Sequence, residues 1–267
     1  MTKYLFGFLG TGNMGGALAR AARKSTASVV LSNRTAAKAG ALAAEIGCDA
    51  ADNATVAREA KYIFLGVKPQ MMAGLLGEIA PVLAAREDRF LLVTMAAGLT
   101  MEKITALAGG DYPVIRIMPN TPVSVGEGMV TCARSARVTG EEFAEFTEKM
   151  AAAGRFDTLD ESLIDAASVV AGCAPAYADL FLEALADGAV ECGLPRAKAY
   201  AYAAQMLLGT AKLALETGAH PGTLKDAVCS PGGSTIVGVH ALERGGFRAL
   251  TMDAVTAAFR RTRELGK

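Results

Sequence analysis

The sequence is poor in histidine, has no clustered cysteine and carries no excess of charge of either sign. His220 and His240 are the only histidines in 267 residues. Each lies beside a Gly or Pro boundary or on a helical stretch, where a surface or packing role is expected. Chemistry that passes protons through several imidazoles is therefore disfavoured. The cysteines, Cys48, Cys132, Cys173, Cys192 and Cys229, are odd in number and scattered, with no C-x-x-C pair. That argues against a disulfide framework or a structural metal site, and for a reducing, cytoplasmic compartment. Lys plus Arg and Asp plus Glu number 27 each, and the sparse aromatics are not interleaved with basic residues, so no nucleic-acid surface is expected. The N-terminal apolar run is broken at Gly7 and Gly10 and reads as a buried strand, not a signal peptide or membrane span. A chain of this length, 52% hydrophobic, allows one or two domains and a sizeable core.

What is present is organised around the stretch from Tyr4 to Leu18. An apolar run enters Gly10-x-Gly12-x-x-Gly15, and Met14, Leu18, Ala21 and Ala22 then repeat at helical spacing. Strand, tight glycine turn and helix is the order of a dinucleotide-binding βαβ unit. Gly10 permits the turn, Gly12 lets backbone approach a pyrophosphate, and Gly15 lets helix and strand pack closely. The helix's free N–H groups and positive end meet the phosphates.

A second strand, Ser28 to Leu31, leads to Ser32-Asn33-Arg34-Thr35. An NAD site usually places an acid here for the ribose 2′-hydroxyl. A hydroxyl, an amide and a guanidinium suit a 2′-phosphate instead, so NADP(H) is preferred, with NAD(H) as the alternative. The same residues also make good helix caps. A helix is expected over Ala36 to Ile46. The apolar strand Tyr62 to Val67 ends at Lys68-Pro69-Gln70, where Lys68 faces a bound anion or simply solvent. Further strands are read at Phe90 to Met95, which opens onto Ala96-Ala97-Gly98, at Val114 to Met118, at Gly128 to Cys132 and near Arg155 to Thr158. A helix is read over Glu141 to Ala153. The alternation predicts an α/β fold with a doubly wound, mainly parallel sheet.

Beyond Asp160 strand signals cease. Pro175, Pro195 and Pro221 open helices, and a last helix runs from Phe247 to Leu265. The predicted division is an N-terminal dinucleotide-binding domain over 1–159 and an all-α domain over 160–267. So apolar and alanine-rich a helical domain is expected to bury surface against another subunit. One segment interrupts it, Cys229-Ser230-Pro231-Gly232-Gly233-Ser234-Thr235-Ile236. Its N–H groups and hydroxyls could cradle a small carboxylate, or Ser234 or Thr235 could simply cap a helix.

The assembled chain resembles the pyrroline-5-carboxylate reductase family over almost its whole length. The likeness rests on the glycine turn, Val67-Lys68-Pro69, Ala96-Ala97-Gly98-Leu99-Thr100, Met118-Pro119-Asn120-Thr121-Pro122 and Pro175-Ala176-Tyr177. It continues through Ala184-Leu185-Ala186-Asp187-Gly188 and Gly193-Leu194-Pro195-Arg196. Most specific is the run from His220-Pro221-Gly222 through Ser230-Pro231-Gly232-Gly233-Ser234-Thr235-Ile236 to Gly245-Gly246-Phe247-Arg248. The chain departs from the family at Ala171, Cys173, Ala174, Met206, Cys229 and Ser234. The resemblance implies a Rossmann domain followed by an all-α dimerisation domain, a homodimer, and a decameric ring as a further assembly.

It also implies cofactor contacts at Leu9, Gly10, Thr11, Gly12, Asn13 and Met14 around the diphosphate. Asn33, Arg34 and Thr35 would face the adenosine phosphate, and Asn53 the adenosine end. Gly66, Val67, Lys68, Pro69, Ala96 and Ala97 would lie toward the nicotinamide. Ser230, Gly233, Ser234 and Thr235 would hold the substrate carboxylate, with Glu161 near the substrate and Thr235 donating or relaying a proton. The implied activity is an NAD(P)H-dependent oxidoreductase acting on CH–NH, reducing the C=N bond of 1-pyrroline-5-carboxylate to L-proline, the last step of proline biosynthesis. The alternatives are a reductase of another cyclic imine or ketimine acid and a non-catalytic NADP(H)-binding regulatory protein. A β-hydroxyacid dehydrogenase shares the glycine pattern, but Lys198 and Lys212 do not sit in that family's lysine motif. No metal, membrane or nucleic-acid partner is expected.

Overall fold

The computed structural model describes residues 2–26 and 28–265. The first half alternates strand and helix. It runs β1 (Tyr4–Leu9), α1 (Asn13–Ser25), β2 (Val29–Ser32), α2 (Ala36–Ile46), β3 (Asp49–Ala50), α3 (Asn53–Glu59) and β4 (Ala60–Leu65). It continues with α4 (Met72–Ala84), β5 (Leu91–Thr94), α5 (Met101–Ala108), β6 (Val114–Met118), β7 (Gly128–Arg134), α6 (Gly140–Lys149) and β8 (Gly154–Thr158). Among the described residues these strands form one sheet in the order β3-β2-β1-β4-β5-β6-β7-β8. Every neighbouring pair is parallel except β6–β7. The fold is therefore doubly wound and mainly parallel. The strand order turns back at β1 and β4, the switch point where open α/β sheets bind ligands.

The inner strands β1, β2, β4, β5 and β6 are buried on both faces, and alternation divides their side chains between two cores. Phe6, Phe8, Tyr62 and Phe64 enter one core with Leu18 and Phe146. Leu9, Ile63 and Leu65 enter the other with Leu76, Ile79 and Ile104. Phe8 and Phe64 stack with ring centres 4.3 Å apart across the β1–β4 pair. The sheet's registry is thus fixed at the two strands that carry the central turn.

The remainder is helical: α7 (Ile164–Ser168), α8 (Ala174–Glu191), α9 (Arg196–Thr217), α10 (Pro221–Val228), α11 (Ser234–Arg244) and α12 (Phe247–Leu265). A π-helical turn, Val169–Cys173, lies between α7 and α8. The chain divides into two compact units, Met1–Gly172 with Phe259–Lys267, and Cys173–Ala258. The last strand ends at Thr158, but the first compact unit extends to Gly172. Side-chain bonds from the sheet hold that extension. Arg116 on β6 pairs with Glu161 and Asp165, and Asn120 Nδ2 donates to the Ala171 carbonyl at 2.9 Å.

In the second unit α8 and α9 pack together, and Phe181 meets Phe247 with ring centres 5.7 Å apart. Leu180, Tyr202, Leu208, Leu213 and Leu215 stay exposed. By length and composition the run Glu161–Glu191 is apolar enough to cross a membrane, with a mean hydropathy of 1.4. An exposed apolar helix of this kind also suits burial against a second copy of the chain.

Candidate cofactor cleft and substrate loop

The glycine turn after β1 is shaped by close backbone approaches. Gly10 has φ +107°, and a Cβ there would lie 2.5 Å from the Gly66 carbonyl oxygen at the end of β4. A Cβ on Gly15 would lie 2.2 Å from the Gly10 carbonyl oxygen, so α1 can close on its turn only with glycine at this position. Around Gly12, by contrast, there is open space within 4 Å. Gly12 is the N-cap of α1 and supplies no side-chain cap, so the first-turn N–H groups have no side-chain acceptor. Thr11 Oγ1 is buried without a partner. An open glycine, uncapped N–H groups and an orphaned hydroxyl at one helix start fit a phosphate.

A cleft of about 1420 Å³ opens from this turn across the carboxyl ends of β1, β2 and β4. Leu9, Gly10, Thr11, Gly12, Asn13, Asn33, Arg34, Thr35, Asn53, Gly66, Val67 and Lys68 all line it. Leu9's side chain is itself fully buried in the core. Met14, Pro69, Ala96 and Ala97, also expected at the cofactor, do not line this cleft. Met14, in the first turn of α1, is partly buried against one core, and Ala96 is buried in the other. Pro69 opens the turn after β4 and Ala97 follows β5; both are exposed, at the ends of adjacent parallel strands.

Polar contacts order the cleft. The Thr11 N–H donates to Asn33 Oδ1 at 3.2 Å, tying the β2 end to the glycine turn. Ser32 Oγ donates to Asn53 Oδ1 at 2.7 Å, and Asn53 Nδ2 donates to both oxygens of Glu78, at 3.1 and 2.9 Å. Arg20 forks onto Glu45 through two bonds of 2.7 Å. That guanidinium holds the Glu45 carboxyl below its usual range. Asp52 caps α3 by accepting from the Thr55 N–H at 2.7 Å, and Thr55's side-chain and backbone bonds lower its pKa.

Thr35, the N-cap of α2, makes no side-chain cap, and the first turn of that helix holds no acid. Lys38 lies in this turn and faces the cleft beside Arg34. Sequence reasoning missed both Lys38 and Glu78. Lys38 carried a signal, a cation three residues into a helix that starts at the ribose end of a strand.

Glu161, expected near the substrate, is engaged in the first unit. Its Oε1 accepts from the Met101 N–H at 2.8 Å and from Arg116 Nη1 at 3.2 Å. Arg116 Nη2 donates to Asp165 Oδ1 at 2.7 Å. The arginine is 2% exposed, and its Nε has no partner. Glu161 therefore joins β6, the start of α5 and the segment leaving the sheet.

The substrate loop lies in the second unit. Gly233, not Ser234 or Thr235, is the N-cap of α11, and it provides no side-chain cap. Ser234 and Thr235 are exposed in the helix's first turn. The Gly233 N–H donates to the Ser230 carbonyl at 3.0 Å, and a Cβ on Gly233 would lie 2.5 Å from Ser230 Oγ. The capping explanation for the two hydroxyls thus fails, and they stay free at a helix N-terminus. His220 caps α10 from the surface, its Nδ1 accepting from the Gly222 N–H at 3.1 Å.

Residues 161–265 match the family model described as pyrroline-5-carboxylate reductase dimerisation, and residues 5–98 match that of coenzyme F420-dependent NADP oxidoreductases. The chain is 41% identical over 266 residues to pyrroline-5-carboxylate reductase of Escherichia coli, covering 98% of each chain. It is 39% identical to that of Glycine max, covering 98% of this chain and 96% of the relative. Among solved structures, pyrroline-5-carboxylate reductase from Coxiella burnetii aligns with a TM-score of 0.90 at 30% identity over all of both chains. The Plasmodium falciparum pyrroline carboxylate reductase with NADP bound aligns with a TM-score of 0.88 at 28% identity, again over all of both.

Proposed function

The chain belongs to the pyrroline-5-carboxylate reductase family, and from that premise we propose that it reduces the C=N bond of 1-pyrroline-5-carboxylate to L-proline with NADPH. Relatedness across 98% of the chain carries this reading. The open glycine turn and the cleft cations fit the cofactor: the first-turn N–H groups of α1 receive the diphosphate, and Arg34 and Lys38 receive the 2′-phosphate. When bound, NADPH supplies the hydride that reaches the imine carbon.

The protein's share of the chemistry is mainly orientation. A cyclic imine binds partly as its iminium, already activated at carbon, so no strong general acid is required. Ser230, Gly233 and the first turn of α11 hold the substrate carboxylate through N–H and hydroxyl donors. Thr235, whose hydroxyl is not used as a cap, donates or relays the proton that ends on the ring nitrogen. Lys68, Ala96 and Ala97 border the nicotinamide at the ends of β4 and β5.

The helical domain mediates homo-oligomerisation. A homodimer through α8 and α9 would cover their exposed leucines and tyrosines, and a decameric ring is the further assembly we assign. Five free cysteines suit a reducing cytoplasm.

The test is NADPH oxidation by purified protein with 1-pyrroline-5-carboxylate, run beside the six-membered analogue and beside NADH. Rapid turnover yielding proline is expected. Turnover of the analogue alone would move the substrate while keeping the chemistry. Silence on both would refute the assignment.

A further inference from the structure

We propose that Glu78 is a specificity-determining residue for the adenine ring, reading its 6-amino group. This rests on the NADPH reading above. The hydrogen bonds of Asn53 orient its amide. Asn53 places one amide atom 2.7 Å from Ser32 Oγ and the other within 3.1 Å of both Glu78 oxygens. The atom beside a carboxylate must be the NH₂, because a carbonyl oxygen there would face two like partial charges. Glu78 therefore fixes the amide. Asn53 Oδ1 faces Ser32, and the serine hydroxyl spends its proton on it. Ser32 Oγ, Asn53 Oδ1 and the Glu78 carboxylate then form a row of lone pairs along one wall of the cleft.

Among the described cleft carboxylates, Glu45 is paired with Arg20 and Asp52 caps α3. Glu78 meets only a neutral amide, leaving lone pairs for a ligand. Gly74 lies one turn before Glu78 on α4, lines the same cleft and has open space where a side chain would stand. Residues four apart share a helix face. A flat ring can lie over the bare helix at Gly74 with its edge reaching Glu78. An edge that meets an acceptor wall must carry a donor. Adenine offers its 6-amino group, whereas a 6-oxo purine would set a carbonyl against a carboxylate.

The experiment titrates the full-length protein with NADPH and with its hypoxanthine analogue, which replaces the 6-amino group by an oxo group. Calorimetry gives both dissociation constants, and thermal melts run alongside. The parent should bind NADPH about ten- to a hundredfold more tightly than the analogue, a preference set by an unmet polar edge. Glu78→Gln keeps the shape of an exposed helical side chain and can turn either face of its amide to the ring. In that variant the preference should collapse to about threefold or less, with the melting temperature unchanged. A parent without preference overturns the proposal, as does a Glu78→Gln protein that keeps the preference or loses affinity equally for both dinucleotides. Failure of the parent to bind either dinucleotide would instead remove the cofactor reading, and this proposal with it.

Discussion

Replacing Arg116 by methionine removes a guanidinium that is 2% exposed, and strands Glu161 and Asp165 at the end of the sheet. Breaking a buried ion pair from one side costs about 3–5 kcal/mol, because the remaining charge has no partner. The two acids are 25% and 29% exposed, so water recovers part of that cost. Methionine also removes the unpartnered Nε–H, whose burial costs about 1–3 kcal/mol. The net expected loss is about 2–3 kcal/mol. For a domain of this size each kcal/mol moves the melting temperature by about 2–4 °C, so Arg116→Met should melt about 4–12 °C below the parent. Arg116→Lys should fall between them, since one ammonium cannot fork to both acids. The cause is separated from lost packing by the triple variant Arg116→Met/Glu161→Gln/Asp165→Asn. With no charge left to strand, it should regain at least half of the loss in calorimetry. A single variant within about 1 °C of the parent, or a triple variant no more stable than the single, would refute the reasoning.

Lys38→Ala and Arg34→Ala should each raise KM for NADPH about tenfold or more, a charge-assisted bond's share, and leave KM for NADH within about twofold. Steady-state kinetics with both cofactors checks this, and equal effects on the two would contradict it. Thr235→Val should lower kcat about tenfold or more while leaving the NADPH dissociation constant unchanged; undiminished turnover at saturating substrate would exclude the proton role. Glu142 gives a pH dependence. Two bonds from Arg89, at 2.7 and 2.9 Å, and the N–H of Thr139 hold its carboxyl at about 2 in the folded protein. A depressed folded pKa contributes stability above the ordinary carboxylate value and loses it as pH falls toward 2. Glu142→Gln should therefore be about 1–2 kcal/mol less stable at pH 7, after allowing for Arg89's exposure to solvent. The gap should close between pH 5 and pH 2 in urea unfolding followed by circular dichroism, and a gap independent of pH would refute this origin.

The parts legible in sequence are those that local chemistry dictates. Gly10 and Gly15 have to be glycine because a Cβ at either would collide with backbone, so their spacing announces the turn. The expected bounds of α2, β6 and α12 coincide with those observed, because capping residues, prolines or apolar runs mark their ends. What escaped is non-local or too short to be periodic. The strand β3 is two exposed residues, Asp49 and Ala50, with no alternation to read. The antiparallel direction of β7 depends on where the chain has already travelled. The π-helical turn at Val169–Cys173 reads as ordinary helix, since only its pairing differs. Glu78 sits on an amphipathic helix like any solvated acid, and only the fold brings Asn53 to it.

Arg116 is the instructive case. A cation inside Val114-Ile115-Arg116-Ile117-Met118 cannot be buried alone. The strand therefore implies acids without naming them. They lie 45 and 49 residues onward, and their own spacing carries the rest of the signal. Glu161 and Asp165 are four apart in helical structure, so they share one face and can meet one guanidinium together. Glu161 is thereby held by the arginine and by the Met101 N–H, which fixes its position whether or not a substrate lies beside it.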